Sequence, residues 1–236
     1  ERGYGAFKTN IVVPGEEPRV LMPGFGRDGG TDRNPTPELI AHLTALLEAF
    51  EEGTEGRAQP IVDLNFNLTI EGIVQVARAL EPYGLAWLEV DAYDPAGLAY
   101  ARSRSPIPIC SGENLYTARG FRPYLEAGAI DIASVDVIWN GFAQARKIAD
   151  LAETHEVACA PHNYYSHLAT FIAAQWCGAI PNARILEYDV DDVPWRDALV
   201  TALPEISAGE LCVPDGPGWG VDLNEDVLRE HAWPRG

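Results

Sequence analysis

Three short apolar runs lie between Pro60 and Asn114, and each leads into an acidic residue. Their sequences are Pro60-Ile-Val-Asp-Leu-Asn65, Ala86-Trp-Leu-Glu-Val90 and Ile107-Pro-Ile-Cys-Ser-Gly-Glu-Asn114. Short runs rich in Val, Ile and Leu that alternate with longer amphipathic stretches are typical of buried parallel strands between helices. A buried strand that ends in a carboxylate is unfavourable unless something binds there. This stretch therefore predicts an α/β fold with a functional site at the strand ends.

The same alternation extends over most of the chain. Four further apolar runs are predicted as strands: Ala6–Val12, Ile130–Val137, Val157–Ala160 and Ile185–Tyr188. Amphipathic patterns predict helices at Pro37–Phe50, Ile70–Leu80, Leu115–Ala127, Gln144–Thr154 and Leu168–Trp176. Regular alternation of strand and helix implies a parallel sheet with right-handed crossovers. Its continuity favours a closed (β/α)₈-type barrel over an open doubly wound sheet.

The composition excludes several classes of function. The chain has 236 residues, 17 basic and 35 acidic, and a formal net charge of −18 at pH 7. This balance argues against nucleic-acid binding and against docking on anionic lipid, since both need a basic surface. No G-x-G-x-x-G motif follows the first run, so a dinucleotide site has no support. The four cysteines form no C-x-x-C pair, which predicts free thiols in a reducing, cytoplasmic setting.

Two segments depart from the alternation. Residues 13–36 are rich in Gly, Pro and charge and are expected to form a long loop. Its arginines, Arg19, Arg27 and Arg33, either contact an anionic substrate or are solvated loop charges. We expect a barrel domain over residues 1–211 that includes this loop. A turn-rich C-terminal strap is expected over residues 212–236.

Ionisable residues follow nearly every predicted strand. In a (β/α)₈ barrel the carboxyl ends of the strands converge on one mouth, where active sites lie. Asp63, Glu89 and Glu113 end consecutive strands and would repel one another, which raises carboxylate pKa values. A hard divalent cation removes that repulsion, and ligands that are all oxygen favour Mg²⁺ over zinc. The three carboxylates therefore predict a magnesium site.

The order and approximate spacing of these residues resemble the enolase superfamily, in its mandelate racemase and muconate-lactonising branch. The matching pieces are Phe7-Lys8-Thr9-Asn10, Asp63-Leu64-Asn65, Trp87-Leu88-Glu89, Gly112-Glu113-Asn114-Leu115-Tyr116, Asp136 with Gly141, Pro161-His162 and Leu186-Glu187-Tyr188. The resemblance covers nearly the whole chain. It implies the (β/α)₇β TIM-like barrel of the enolase C-terminal domain, here lacking its first strand and the N-terminal capping domain.

The resemblance also implies the chemistry. Asp63, Glu89 and Glu113 would bind Mg²⁺, and His162 would be the base that removes a proton α to a carboxylate. A Lys or His base combined with Mg²⁺ is the general pattern of this superfamily.

Three other residues receive roles in the same way. Asp136 would orient His162 and raise its basicity; Asp131 is a nearby rival, but the spacing to Gly141 favours Asp136. Lys8 would place a positive charge on the substrate carboxylate. Glu187, in its protonated form, would donate a hydrogen bond to the enediolate.

Two asparagines depart from the family pattern. Asn10 stands where the racemase branch has a second lysine base, and Asn65 stands where some acid-sugar dehydratases have a histidine acid. Both asparagines are predicted to contact substrate, with turn formation as the alternative. The general acid stays open between His162 itself, His167 and Tyr164.

These features predict an enzyme, a Mg²⁺-dependent lyase that dehydrates a small anionic sugar acid to a 2-keto-3-deoxy acid. A cycloisomerase or a racemase/epimerase of the same superfamily is the alternative. A barrel that binds a metal or carboxylate without catalysis is a further one. Related proteins assemble as dimers or octamers, so a homo-oligomer is expected.

Overall fold

The computed structural model describes residues 3–13, 16, 19–21, 32–190 and 193–232. The chain divides into two compact units. The N-terminal unit comprises Tyr4–Asn114 and Phe121–Ala133. The C-terminal unit comprises Glu1–Gly3, Leu115–Gly120 and Ser134–Gly236. The boundary predicted at residue 211 stays a prediction.

The N-terminal unit is built on a parallel sheet. Its strands are, in chain order, β1 (Ala6–Thr9), β2 (Val12–Val13), β3 (Arg19–Val20), β4 (Gln59–Asp63), β5 (Trp87–Glu89), β6 (Ile109–Ser111) and β7 (Ile132–Ser134), whose last residue belongs to the C-terminal unit. β1, β4, β5, β6 and β7 are neighbours in that order, and β2 pairs antiparallel with β3. Asp63 is paired with Glu89 across β4 and β5, so the two carboxylates end their strands side by side.

Helices follow these strands. They are α1 (Pro37–Thr54), α2 (Ile70–Leu80), a 3₁₀ turn (Glu81–Tyr83), α3 (Pro95–Arg104) and α4 (Thr117–Glu126), which has residues in both units. Side-chain caps fix where the first three helices begin: Thr36 accepts from Leu39 N, Thr69 from Gly72 N and Asp94 from Ala96 N. Because these caps set where α2 and α3 begin, the loops that join β4 to α2 and β5 to α3 are short.

The C-terminal unit repeats the pattern on a smaller scale. Its elements are α5 (Val137–Asn140), α6 (Phe142–Thr154), β8 (Ala158–Ala160), α7 (His167–Ala179), a 3₁₀ turn (Asp197–Leu199), β9 (Ile206–Ser207), β10 (Glu210–Leu211) and α8 (Glu225–Glu230). Val135 N donates to Ala160 O, and His162 N donates to Val135 O at 3.2 Å. These bonds hold the segments that carry Asp136 and His162 beside each other.

The strand predicted at Ile185–Tyr188 is wrong. The backbone pairs with β8 just before this run: Ala183 forms a parallel bridge with Cys159, and Arg184 N donates to Cys159 O at 2.8 Å. Beyond that point, the side-chain amide of Asn163 donates to Glu187 O at 2.9 Å and takes a carbonyl that a strand partner would use. The apolar run therefore continues as irregular backbone.

The segment that follows residue 31 braces the loop after β4. Arg33 Nη2 donates to the backbone carbonyls of Phe66 and Leu68, and Thr69 N donates to Arg33 O at 2.9 Å. The sequence left Arg33 open between a contact with an anionic substrate and a solvated loop charge. It is neither, because its guanidinium binds backbone carbonyls. Arg27 lies outside the described residues.

Within the described residues, no helix combines the length and the hydropathy required to cross a lipid bilayer.

Candidate active site

Four acidic side chains form a group at the ends of β4, β5 and β6, which we call the carboxylate cluster: Asp63, Glu89, Asp91 and Glu113. Asp63, Glu89 and Asp91 are 6%, 2% and 5% exposed. Lys8, which extends from β1, places Nζ 3.5 Å from Glu89 Oε2. The sequence prediction that Lys8, Asp63, Glu89 and Glu113 end neighbouring strands is consistent with this arrangement.

Burial and repulsion between neighbouring carboxylates raise the pKa values of two groups in the cluster. Burial, and then repulsion by Glu89, raise the pKa of Asp63 to about 7, although Lys8 acts in the opposite direction. Burial, and then repulsion by Glu113, raise the pKa of Asp91 to about 8. The raised pKa values show that ionising both groups costs free energy, and a divalent cation would lower the free energy of the ionised cluster.

The donor set fits a hard cation. All the acidic donors are carboxylate oxygens, which Mg²⁺ prefers, and the described residues of the cluster include no thiolate or imidazole. In the described part of the chain, no three His, Cys, Asp or Glu side chains are already arranged around a metal position. The assignment of Asp63, Glu89 and Glu113 as ligands stays a prediction that rests on their chemistry and, for Asp63 and Glu89, on their burial.

Asn10 and Asn65 both bind Asp63. Asn65 N donates to Asp63 Oδ1 at 2.8 Å, and its side-chain amide donates to Oδ2 at 3.0 Å. Asn10 Nδ2 donates to the same Oδ2 at 3.2 Å and to Asn65 Oδ1 at 3.3 Å. Asn65 adopts a φ of 47°, a left-handed conformation that asparagine tolerates better than most residues. The two amides orient Asp63; their contact with substrate stays a prediction.

The C-terminal unit holds the predicted histidine–aspartate pair. His162 Nδ1 lies 2.9 Å from Asp136 Oδ2, and both side chains are buried. Asp136 also accepts from Tyr165 Oη at 2.6 Å and, as the N-cap of α5, from Trp139 N at 2.7 Å. The distances make Asp136 the centre of a three-donor network.

This network keeps Asp136 ionised. Burial pushes its pKa upward, but the hydrogen bonds from His162, Tyr165 and Trp139 outweigh burial and hold the pKa below its usual value. An ionised carboxylate at Nδ1 favours the tautomer with the proton on that nitrogen. His162 Nε2 is then the nitrogen at which this imidazole can exchange a proton.

The rival partner for His162 is occupied elsewhere. Asp131 accepts from Arg102 Nε at 2.8 Å and from Ile109 N at 2.9 Å. These bonds tie α3 to the start of β6 within the N-terminal unit. Asp136, as predicted from its spacing to Gly141, is the residue that pairs with His162.

The two other candidates for the general acid differ in their surroundings. His167 is buried and places Nε2 2.8 Å from Asp197 Oδ1. Tyr164 is 55% exposed, and its ring centroid lies 5.0 Å from that of His162. Tyr164 therefore lies in contact with the predicted base.

Glu187 lies beside the His162 loop. Its Oε2 accepts from Asn163 N at 2.6 Å, directly after His162 in the chain. The half-buried carboxylate is therefore anchored to the loop that carries the predicted base. Its expected bond to the enediolate stays a prediction.

Two residues of these networks were missed by sequence reasoning. Asp91 lies two residues after Glu89, a spacing that brings side chains to the same face of extended chain and could have revealed it. Tyr165 carries no comparable signal, because its bond to Asp136 spans 29 residues.

Comparison with known proteins decides the family. The model of the enolase C-terminal domain-like family matches residues 1–227. The chain belongs to this family. Both the resemblance and the barrel-type α/β fold class predicted from the sequence are confirmed for this enolase-type chain.

Its relatives include enzymes that act on sugar acids. D-xylonate dehydratase of Haloferax volcanii is 33% identical over 236 residues, which cover 98% of this chain and 55% of the relative. D-galactarolactone cycloisomerase of Agrobacterium fabrum is 31% identical over 200 residues, which cover 80% of this chain and 53% of the relative. The chain spans about half the length of the curated relatives it matches.

A similar solved structure comes from Burkholderia xenovorans strain LB400. That protein, provisionally assigned as an L-alanine-DL-glutamate epimerase, is bound to magnesium and fumarate. It is 43% identical, with a TM-score of 0.92 over 98% of this chain and 58% of that chain.

Proposed function

We propose that the protein removes the proton α to the carboxylate of a sugar acid and then eliminates water, and that the resulting enol tautomerises to a 2-keto-3-deoxy acid. The observation that carries this proposal is the buried His162–Asp136 pair, with Nδ1 and Oδ2 2.9 Å apart. The 33% identity to a D-xylonate dehydratase supports the class of reaction. The retained pair and the retained carboxylates speak against a barrel without catalysis.

In the C-terminal unit, His162 accepts the α-proton at Nε2. Asp136 stabilises the imidazolium that forms, because its carboxylate is ionised and bonded to Nδ1. Glu187, which lies beside the His162 loop, donates a hydrogen bond to the enediolate.

In the N-terminal unit, Lys8 carries the charge that binds the substrate carboxylate. Asp63, Glu89 and Glu113 would hold Mg²⁺. When bound, Mg²⁺ supplies a positive charge that stabilises the negative charge developing on the substrate.

Elimination is favoured over racemisation by Asn10. A two-base racemase needs a second base, and a neutral amide that donates to Asp63 and Asn65 does not accept a proton. A single histidine is sufficient for proton removal, and it can return the proton to a β-hydroxyl that leaves as water.

An epimerase is the second candidate, because the solved structure with 43% identity carries that provisional assignment. A cycloisomerase stands beside it through the 31% identity to D-galactarolactone cycloisomerase. A small anionic substrate, a cytoplasmic location and a homo-oligomeric state, dimer or octamer, complete the proposal.

The test uses the full-length protein with Mg²⁺ and a panel of sugar acids, with semicarbazide detection of keto acids. A keto product from at least one sugar acid is expected. Incorporation of deuterium from ²H₂O at the α-carbon without a keto product would instead support an epimerase. Absence of both keto product and exchange over the whole panel would refute the proposal.

A further inference from the structure

We propose that Asp91 is a positioning residue for Glu113 and acts through the side-chain amide of Asn114. The inference rests on the proposed function, because it takes Glu113 as a ligand of Mg²⁺. It gives roles to Asp91, which the sequence pattern did not single out, and to Asn114, which stands in a motif of the family resemblance without an assigned role.

The geometry places one amide between two carboxylates. Asn114 Nδ2 donates to Asp91 Oδ2 at 3.2 Å and to Glu113 Oε1 at 3.2 Å. The amide group has two N–H donors, so it can serve both acceptors at once. Asp91 and Glu113 are therefore linked although they belong to different strand-end loops.

Asp91 is itself fixed in place. Its backbone N donates to Asn65 O at 3.0 Å, and Leu64 N donates to Glu89 O at 2.9 Å. These two bonds join the loop after β4 to the loop after β5. With only 5% of its surface exposed, Asp91 is a rigid acceptor for the Asn114 amide.

A rigid acceptor matters because a glutamate ligand is flexible. Each free rotamer of Glu113 lowers the population that is ready to bind a cation. The Asn114 amide restricts Glu113, and Asp91 restricts Asn114. Partners of this kind, which bind the ligand residue and not the metal, commonly contribute a factor of about 10–100 to metal affinity.

The experiment measures Mg²⁺ binding to the substrate-free, full-length protein by isothermal titration calorimetry. Asp91→Ala and Asn114→Ala are each expected to weaken the affinity by about 10–100-fold. Asp91→Asn is expected to stay within a few-fold of wild type, because its side-chain carbonyl still accepts from Asn114. The double variant Asp91→Ala/Asn114→Ala should bind no more weakly than the weaker single variant, since both act along one path.

The matched control is Asp150→Asn, which should bind Mg²⁺ as wild type does. Asp150 is an exposed carboxylate on α6 with 56% of its side chain accessible. Circular dichroism of each variant establishes folding; if Asp91→Ala does not fold, Asn114→Ala and Asp91→Asn carry the comparison. If Asp91→Asn loses as much Mg²⁺ affinity as Asp91→Ala or Asn114→Ala does, the charge of Asp91 itself binds the metal. That result would overturn the positioning role.

Glu113→Gln separates this inference from the proposed function. If wild type binds Mg²⁺, Glu113→Gln does not, and both Asp91→Ala and Asn114→Ala bind normally, the inference fails alone. If Glu113→Gln binds as tightly as wild type, or wild type binds no Mg²⁺, Glu113 is not a ligand and both proposals fail.

Discussion

At the scale of single residues, the hydrogen-bond partner distinguishes two buried histidines. His162 and His167 are both buried histidines that contact an aspartate, but their partners differ. Asp136 is fully buried and held by three donors, whereas the Asp197 side chain is 72% exposed. A buried, ionised partner stabilises an imidazolium far more than a solvated one does. These surroundings favour His162 over His167 as the proposed base.

Replacing His162 tests this assignment. His162→Asn is expected to lower turnover and α-proton exchange by at least about 10²–10⁴-fold, the usual contribution of a general base. Mg²⁺ affinity, measured by calorimetry, should stay nearly unchanged. His155→Asn, an exposed histidine that follows α6, is the control and should retain activity. Loss of metal binding in His162→Asn would contradict its assignment as the base.

Asp136→Asn should also lower turnover by about 10²–10⁴-fold, because an amide no longer enforces the Nδ1–H tautomer of His162. Asparagine is a good N-cap, so α5 should keep its start. Steady-state kinetics with circular dichroism as the folding check measure this effect. Activity within a few-fold of wild type would show that His162 does not depend on Asp136.

The pH dependence of stability has a definite sign at Asp136. Its folded-state pKa lies below the usual value, so the ionised side chain stabilises the fold above about pH 4, and this stabilisation is lost as the pH falls through the lowered pKa. In urea titrations, the free energy of unfolding of wild type should exceed that of Asp136→Asn by a larger margin at pH 7 than at pH 3. A larger excess at pH 3 would contradict the network.

At the scale of elements, the loops that follow the strands carry the candidate site, and neighbouring segments brace them. Arg33 holds the loop after β4 through two backbone carbonyls, while Asp63 and Asn65 occupy its beginning. The bonds between the β4 and β5 loops act in the same way. Order in these loops therefore comes from contacts across the fold and not from regular secondary structure.

Arg33→Ala is expected to lower the free energy of unfolding by about 1 kcal/mol, because two backbone carbonyls lose their donor. Hydrogen exchange of the amides in residues 64–69 should become faster. Arg78→Ala, an exposed arginine on α2, is the matched control. Unchanged exchange in residues 64–69 would show that Arg33 does not brace the loop.

At the scale of the whole molecule, the four cysteines report on the integrity of both units. All four are free; Cys110 and Cys159 are buried, Cys177 is partly buried and Cys212 is exposed. Burial raises the pKa of Cys159 and of Cys177 to about 12. The reactive thiolate is therefore scarce at these two positions in the folded chain.

A thiol reagent at pH 8 is accordingly expected to modify Cys212 rapidly and the other three cysteines only after unfolding in urea. Mass spectrometry identifies the labelled peptide. Cys212→Ser should abolish the fast phase. Fast labelling of Cys159 in the native protein would show that the C-terminal unit is open at β8.

Local signals in the sequence single out the residues at the strand ends, whose roles in the site stay predictions. Lys8, Asp63, Glu89, Glu113, Asp136 and His162 stand out because each follows a short apolar run, and the spacing of these runs reflects one strand and one helix. The run at Ile185–Tyr188 gives the same signal, yet it is no strand, because Asn163 competes for its backbone. Periodicity records burial, but it does not record which donor reaches a carbonyl.

The sequence by itself determined most of the alternation of strands and helices, the acidic character of the strand ends and the family. Only the tertiary structure decided the partners: Asp131 with Arg102, Asp136 with His162 and Tyr165, Asn10 with Asp63, and Asp91 with Asn114. The physical reason is the range of the two kinds of information. Propensity and periodicity act over a few residues, whereas these hydrogen bonds join residues 23 to 53 positions apart.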